Sequence, residues 1–431
     1  MVVLWSSRLT YASIIILNLS TWIALQGVWM EFPLIIPLVP EGWSLPALMS
    51  LVSCLANISP LMIIIMRRIQ GSQRFSEIPY IYALTITGIL SCIIIGLFWN
   101  KTIFIFNQKR SVILIIATFF LSIPDCSSSL IYFDFMKRFR PKYLNAMFIG
   151  ESLICFIPSL IAIAQGIGSE VACHGQEPSF SQPRFSVKIY FFILAGVITC
   201  SLISFILLRW TSIAEIGNAL EKRNETTIID QEQDQDSKQA CLEETMTTVI
   251  QRDNKLSRRT FYLLLIISVI NSFIVYGCLP SLITYSLLPY GQRVFYYCSL
   301  LAPMAYPLAC CVHAAIKLKL ISLIISSVIN ILCSLFVIYI AFNSPCPILH
   351  DTVKGGILVT FIWCIIIFIV GYVRIRIGNI IKTSWPKQNG LYIYGLTTQI
   401  GYCLGSIPLF FIINVFKLLK DREPCVKYCH T

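Results

Sequence analysis

The sequence predicts an all-α polytopic membrane protein with about eleven transmembrane helices. Three observations predict it. Of 431 residues, 56% are hydrophobic and only 13% charged, and the mean hydropathy is +0.76; soluble domains carry about 25% charged residues, so a soluble chain of this composition would lack the polar surface to cover itself. Eleven apolar runs reach the ~20 residues that a bilayer core requires. The net charge of +12 is concentrated in short segments between those runs, a pattern of membrane orientation and not of nucleic-acid binding.

Charge and Pro/Gly clusters mark off each run in turn. The first, 11–31, follows Arg8 and ends at Glu31; the second, 43–66, opens after Pro40 and Gly42 and stops at Arg67 and Arg68. Runs 79–99 and 111–135 flank the Lys101 to Arg110 segment, and 144–166 follows the basic Lys137 to Lys142 loop. Run 187–208 ends at Arg209, and 260–284 begins after Arg258 and Arg259. Runs 293–316 and 320–342 are parted only by Lys317 and Lys319, so ten spans result if these two merge; 355–373 and 391–416 complete the series. The first run is too long, and lacks a small-x-small cleavage site, for a secretory signal, so it reads as a retained span.

With the N-terminus inside, the cytoplasmic segments collect 22 Lys and Arg against 11 outside. This bias predicts a cytoplasmic N-terminus and an extracellular C-terminus. Residues 210–254 hold ten acids and four bases with few aromatics, a composition that cannot bury enough surface to fold alone. The expected organisation is therefore a six-helix bundle (1–208), a disordered acidic cytoplasmic linker (209–259), a five-helix bundle (260–416) and an extracellular tail (417–431). Gly27, Pro33, Pro40, Gly42 and Pro60 punctuate the first half much as Gly277, Pro280, Pro289, Gly291 and Pro307 punctuate the second, the mark of a transporter repeat about an axis along the membrane normal.

Of 17 cysteines, twelve fall inside spans, where they act as small hydrophobes. Cys173, Cys346, Cys425 and Cys429 face the oxidising side, and a disulfide from Cys346 to Cys425 or to Cys429 would clamp the last spans together. His174, His350 and His430 lie near them, without compact zinc spacing, and no metal site is assigned. His313, inside the eighth span, reads as a packing residue. Phosphate-loop, H-E-x-x-H and G-x-S-x-G motifs are missing, so the chain reads as neither an ATP-driven pump nor an enzyme, and no resident cofactor is expected.

Polar groups at bilayer depth are the functional candidates. Trp22, Gln26 and Trp29 are spaced i, i+4, i+7, on one helix face, and with Glu31 they are expected to present one stripe to a cavity. Two indoles and an amide suit a flat aromatic ligand with hydrogen-bonding edges. Glu31 also reads as an interfacial carboxylate. Asp125 and Glu151 fall on antiparallel neighbours and can be protonated packing residues, a proton-coupling pair or ligand contacts, while Asp134 reads as an ion-pair partner of Lys137 or Arg138. Ser127, Ser128 and Ser129 offer hydroxyls, of which one or two face a cavity. In the second half, Asn271, Tyr276, Ser281, Thr284 and Tyr306 lie near the Gly/Pro breaks, and Tyr276 precedes Gly277 as Gln26 precedes Gly27.

The run Gly27-Val28-Trp29-Met30-Glu31-Phe32-Pro33, then Pro40-Glu41-Gly42-Trp43-Ser44-Leu45-Pro46 and Ala56-Asn57-Ile58, resembles the animal riboflavin transporters of the solute carrier class. So do Leu279-Pro280-Ser281, Leu288-Pro289-Tyr290-Gly291, Pro307-Leu308-Ala309-Cys310, Ser344-Pro345-Cys346-Pro347 and the Cys-containing tail, in family order over nearly the whole chain. The resemblance implies a plasma-membrane carrier related in architecture to major-facilitator and nucleoside carriers. It implies sodium-independent riboflavin uptake by alternating access, acting as a monomer in the lipid bilayer. Trp22, Trp29, Glu31, Pro33, Glu41, Gly42 and Trp43 coincide with the family pattern. Gln26 departs from the usual Asn, Asp125 from a small uncharged residue, Glu151 from Gln, and Tyr276 and Tyr306 from Asn. On this reading Trp22 and Trp29 wall the isoalloxazine, Gln26 and Glu31 meet its polar edge, and Ser128, Asn271 or Thr284 meet the ribityl chain. A carrier for another flat solute such as a nucleoside is the alternative, and a membrane receptor a more distant one.

Overall fold

The computed structural model describes residues 2–71, 75–105, 107–136, 138–139, 143–166, 172–174, 177–179, 182–211, 256–385, 390–421 and 429. The acidic segment expected as a linker lies almost wholly outside them, as does Cys425. Fourteen α-helices are described: α1 (Val2–Leu19), α2 (Ile23–Ile35), α3 (Leu45–Leu55), α4 (Ile58–Gln70), α5 (Ile78–Phe98), α6 (Val112–Met136), α7 (Tyr143–Gln165) and α8 (Val187–Trp210) come from the first half of the chain. The second half gives α9 (Arg258–Asn271), α10 (Leu279–Leu287), α11 (Gln292–Ala315), α12 (Leu320–Phe342), α13 (Val353–Ser384) and α14 (Gly390–Phe410). Two short antiparallel hairpins, β1 (Ile103–Ile105) with β2 (Gln108–Arg110) and β3 (Ala172–His174) with β4 (Glu177–Ser179), cap one end and were absent from the sequence expectation.

Among the described residues nine helical segments are long and apolar enough to cross a bilayer, and a bent pair makes a tenth. Their outward faces carry large apolar side chains such as Leu308, Ile321, Leu332 and Phe361, each more than half exposed, as a lipid-facing surface requires. Helix starts are set by proline in the first turn of α3, α5 and α10. Within spans, hydroxyls bond back to the carbonyl one turn earlier: Thr85 to Ile81, Thr118 to Leu114, Ser122 to Thr118 and Ser327 to Leu323.

Two expected spans are corrected. The first run is not one straight helix: its two parts meet at 52°. The cause lies in Asn18, Ser20 and Thr21, whose side chains donate to the carbonyls of Ile14, Leu17 and Asn18 and divert the backbone ladder from continuing. The tenth span does not stop at residue 373; α13 runs on to Ser384 with Val370, Val373, Ile377 and Ile381 buried on one face. Lys317 and Lys319 do separate two helices, α11 and α12.

One end of the molecule carries the hairpins, Pro33, Trp43 and Tyr290; the opposite, basic end carries Arg67, Arg138, Lys317 and Lys382. At the hairpin end a single apolar core draws on both halves, with Val28, Phe32, Ile35 and Leu45 packed among Leu287, Tyr290, Phe295, Tyr296 and Trp363. At the basic end the core divides. Ile14, Ile81, Phe135, Tyr143 and Phe205 form one cluster, and Phe261, Leu264, Leu323, Ile377 and Ile381 another.

Hydrogen bonds follow the same division. Gln292 Nε2 donates to the Pro33 carbonyl at 2.6 Å, Thr284 Oγ1 to Trp43 at 2.7 Å, Tyr296 Oη to Ala162 at 3.1 Å and Tyr402 Oη to Ser50 at 2.9 Å, all between halves and all toward the hairpin end. Ser50 and Ser406 hydroxyls meet at 2.9 Å in the same seam. The seam is tight because Gly277 and Gly405 let two backbones touch: a Cβ on Gly277 would sit 2.7 Å from Gly405 Cα and 2.8 Å from the Tyr402 carbonyl. At the basic end two ion pairs among the described residues lie within the first half, Arg67 with Asp134 at 2.6 Å and Arg138 with Glu77 at 2.5 Å. Asp134 thus reaches across to α4 for Arg67, a partner distant in sequence.

Candidate substrate site

Helix α2 is buried almost all round, because the core at the hairpin end surrounds it. From Thr21 to Pro33 the half-exposed positions are Trp22, Gln26 and Trp29. Their i, i+4, i+7 spacing produces this stripe, since successive residues turn by about 100° and the three fall within roughly 60° of one another. Trp22, in the bend before α2, presents its ring edge-on to Tyr306 of α11 at 6.4 Å between centroids. One aromatic from each half thus meets at this point.

Glu31 does not share that stripe. It is two residues past Trp29, about 200° around the helix, and is fully buried. The polar side chain beside it is Gln165 of α7, which donates its Nε2 to the Phe185 carbonyl; neither Glu31 oxygen makes a hydrogen bond of ordinary geometry. Glu31 therefore faces the hairpin-end core, away from the stripe. Glu41, in the loop after α2, accepts the Ser111 backbone N–H at 2.8 Å and so anchors the start of α6.

The other sequence-predicted residues divide three ways. Asn271 and Tyr276 line one cavity between α9, α13 and α14, with Arg374, Tyr394 and Thr398. Asn271 is held there: its Nδ2 donates to Ile267 and its Oδ1 accepts Asn330 Nδ2 at 3.0 Å. Thr284 is withdrawn, fully buried with its hydroxyl on Trp43, so it offers nothing to a ligand in this conformation. Ser128 is buried and bonds back to the Asp125 carbonyl at 3.3 Å; the Ser129 side chain lies outside the described residues. His313, read as packing, meets Asn379 Nδ2 at 2.9 Å through its Nε2 and Tyr372 edge-on at 5.3 Å.

Arg374 is the residue that sequence reasoning missed. Its guanidinium lies 5.7 Å over the Tyr276 ring, and Tyr306, Tyr394 and Glu151 share its electrostatic neighbourhood. Asp125 is in turn within reach of both Arg374 and Glu151. Two carboxylates from the first half and one guanidinium from the second thus share one electrostatic neighbourhood. The available signal was the apolar 3.6-residue period of Val370, Val373, Ile377 and Ile381, which continues through Arg374 and makes it helical. Its neighbour Arg376 instead donates to the Leu318 carbonyl at 3.1 Å. Of the two alternatives for Cys346, the structure bonds it to Cys429, closing the loop between α12 and α13 onto the tail.

Chemically, the stripe offers two indoles and an amide, and the cavity between α9, α13 and α14 offers phenols, an amide, a hydroxyl and a guanidinium. These groups suit reversible binding of a flat polar heterocycle.

A sequence profile described as solute carrier family 52, riboflavin transporter, matches residues 6–421. A Danio rerio protein named solute carrier family 52, riboflavin transporter, member 3-A is 31% identical, covering 96% of this chain and 97% of its own length. The Homo sapiens member 3 is 27% identical over 98% of this chain and 99% of its own, and a Caenorhabditis elegans riboflavin transporter is 29% identical over 96% and 98%. Among solved structures, a POT family transporter crystallised with a peptide conjugate superposes with a TM-score of 0.53 at 12% identity, covering 95% of this chain and 91% of that one. The xylose transporter XylE from E. coli gives 0.50 at 11%, covering 96% and 91%. These two likenesses establish a major-facilitator-type fold and nothing further.

Proposed function

Since the chain belongs to the solute carrier family 52 of riboflavin transporters, we propose that it carries riboflavin across the plasma membrane into the cell by sodium-independent alternating access. The observation that carries the reading is the half-exposed Trp22, Gln26 and Trp29 stripe, whose Trp22 meets Tyr306 of the other half edge-on. Isoalloxazine is a planar tricycle whose faces are complementary to indole and phenol rings and whose imide edge pairs with an amide. Trp22, Trp29 and Tyr306 wall the ring and Gln26 meets its edge, while Asn271 and Tyr276, which line the cavity beside Arg374, serve the ribityl hydroxyls.

On this reading the N-terminus and the basic end lie in the cytoplasm, a direction that the charge bias of the loops supports. The hairpin end, with its shared core, is then the closed extracellular gate, and the divided cores mark the inward-facing state. Outward opening breaks the Gln292, Thr284 and Tyr296 bonds and brings the basic ends together, which draws Arg374 toward Asp125 and Glu151. In this reading the two carboxylates form the proton-coupling pair, and Arg374 is their counter-charge in the closed cytoplasmic gate. The carrier works as a monomer, holds no cofactor, and catalyses no reaction.

The test is time-resolved uptake of labelled riboflavin into expressing and vector cells, at two external pH values and with sodium replaced. Saturable uptake, unaffected by sodium removal and competed by unlabelled riboflavin over nucleosides, is expected. Competition by nucleosides in preference to riboflavin would reassign the substrate.

A further inference from the structure

The seam that joins the halves contains two thiols in contact. Cys54 is the penultimate residue of α3 and Cys403 lies within α14, so they come from opposite halves, 349 positions apart; their sulfurs are 2.7 Å from one another. The contact is built, not incidental. One turn along α3, Ser50 bonds the Ser406 hydroxyl at 2.9 Å, and its carbonyl accepts Tyr402 Oη at 2.9 Å, so the antiparallel register pairs Ser50 with Ser406 and Cys54 with Cys403. Behind α14, Gly405 rests on the backbone of Gly277, which prevents the helix from backing away.

We infer that Cys54 and Cys403 form a redox-modification site whose disulfide staples the two halves of the carrier together at the closed end. A disulfide needs a sulfur separation of about 2.05 Å, so the thiols have roughly 0.6 Å to travel. The two are not equally accessible: Cys54 is 4% exposed, while Cys403 is half-buried. A peroxide therefore meets Cys403 first. Its sulfur attacks one peroxide oxygen, the O–O bond breaks, and Cys403 sulfenic acid and water are formed. The Cys54 sulfur then displaces the sulfenic hydroxyl, which leaves with a proton as a second water. Two thiols and one hydrogen peroxide give one disulfide and two waters.

The consequence for transport rests on the alternating-access reading above. If the extracellular gate must part along this seam, a covalent bond across it arrests the cycle in the inward-facing state. Oxidants would then switch off uptake without touching the substrate-facing stripe.

The experiment uses the full-length protein in native membranes. It is treated with hydrogen peroxide, alkylated, and mapped by mass spectrometry without reduction, with the Cys346–Cys429 peptide as internal control; uptake is measured in parallel. A linked Cys54–Cys403 peptide and at least a five-fold loss of uptake are expected. Cys54→Ser and Cys403→Ser, made separately so that one misfolded variant does not decide the matter, should transport at the untreated rate and resist peroxide. Absence of the linked peptide when the control peptide is recovered overturns the inference, as does equal peroxide sensitivity in both serine variants. A stoichiometric link with unchanged uptake supports the site and overturns instead the reading that transport parts this seam.

Discussion

Replacing Gly277 by alanine adds one methyl at a crossing where two backbones touch. That carbon would lie 2.7 Å from Gly405 Cα, 2.8 Å from the Tyr402 carbonyl and 3.2 Å from Gly405 C. All three are backbone atoms, so no side chain can swing aside. Restoring ordinary contact at about 3.4 to 4 Å requires α14 to move away by roughly 0.7 Å or more. Over-packing of this kind costs about 1–3 kcal/mol. The displacement is also directional, because Gly277 lies behind α14: it drives Tyr402, Cys403 and Ser406 toward α3, and 0.7 Å compresses the 2.9 Å hydrogen bonds of the seam below their usual range. Gly277→Ala is therefore expected to lower the melting temperature of the detergent-solubilised protein by several degrees and to reduce uptake at equal surface expression. Gly196→Ala supplies the control, since its added carbon meets nothing within 4 Å; it should be neutral or slightly stabilising. If the two variants melt together, the close approach of α14 to the Ser272–Cys278 segment is not a real constraint, and the account of the seam falls with it.

Four further outcomes are expected. Trp22→Ala removes the edge-to-face contact with Tyr306 and one wall of the ligand; the riboflavin KM should rise about ten-fold, near 1.4 kcal/mol, with Trp22→Phe recovering most of it, as read by uptake kinetics. Asn330→Leu leaves the buried Asn271 Oδ1 without its partner, at about 1–3 kcal/mol, visible as a lower melting temperature. If Asp125 and Glu151 couple protons, Asp125→Asn should abolish most of any difference in uptake between external pH 5.5 and 7.4, and an unchanged ratio would remove Asp125 from that role. Cys346→Ser opens a cross-link spanning 83 positions; loop-closure entropy sets a ceiling of about 4.5 kcal/mol on the loss, to be measured as thermal destabilisation and reduced surface expression.

Much of this was legible in the sequence, because a bilayer leaves few choices. Apolar length fixes a span, and a buried backbone must be helical, so the limits of α5, α8 and α12 fall within a few residues of the apolar runs that predict them. The Trp22, Gln26 and Trp29 face followed from helical spacing alone. What failed did so for identifiable reasons. Treating basic residues as span ends cut α13 short at Arg374, since charge marks an interface only where a helix also stops. Glu31 was grouped with the stripe by proximity in sequence, although helical rotation sends it to the opposite side. Thr284 is adjacent to the Gly/Pro breaks, but its hydroxyl is committed to Trp43, a contact between segments 241 positions apart that no local pattern encodes. The Cys54–Cys403 and Ser50–Ser406 pairs are invisible for the same reason.

The 52° bend between α1 and α2 turns the first membrane crossing into a lever with its pivot at Ser20 to Trp22. The 13 residues of α2 span about 20 Å, so a 10° swing about that pivot moves its far end by roughly 3 Å, Trp29 by about 2 Å and Trp22 scarcely at all. Three ångströms suffices to pull the Pro33 carbonyl off Gln292. On the proposed reading, a substrate that leans on Trp29 shares this rotation, whereas one that leans on Trp22 alone leaves the gate unmoved.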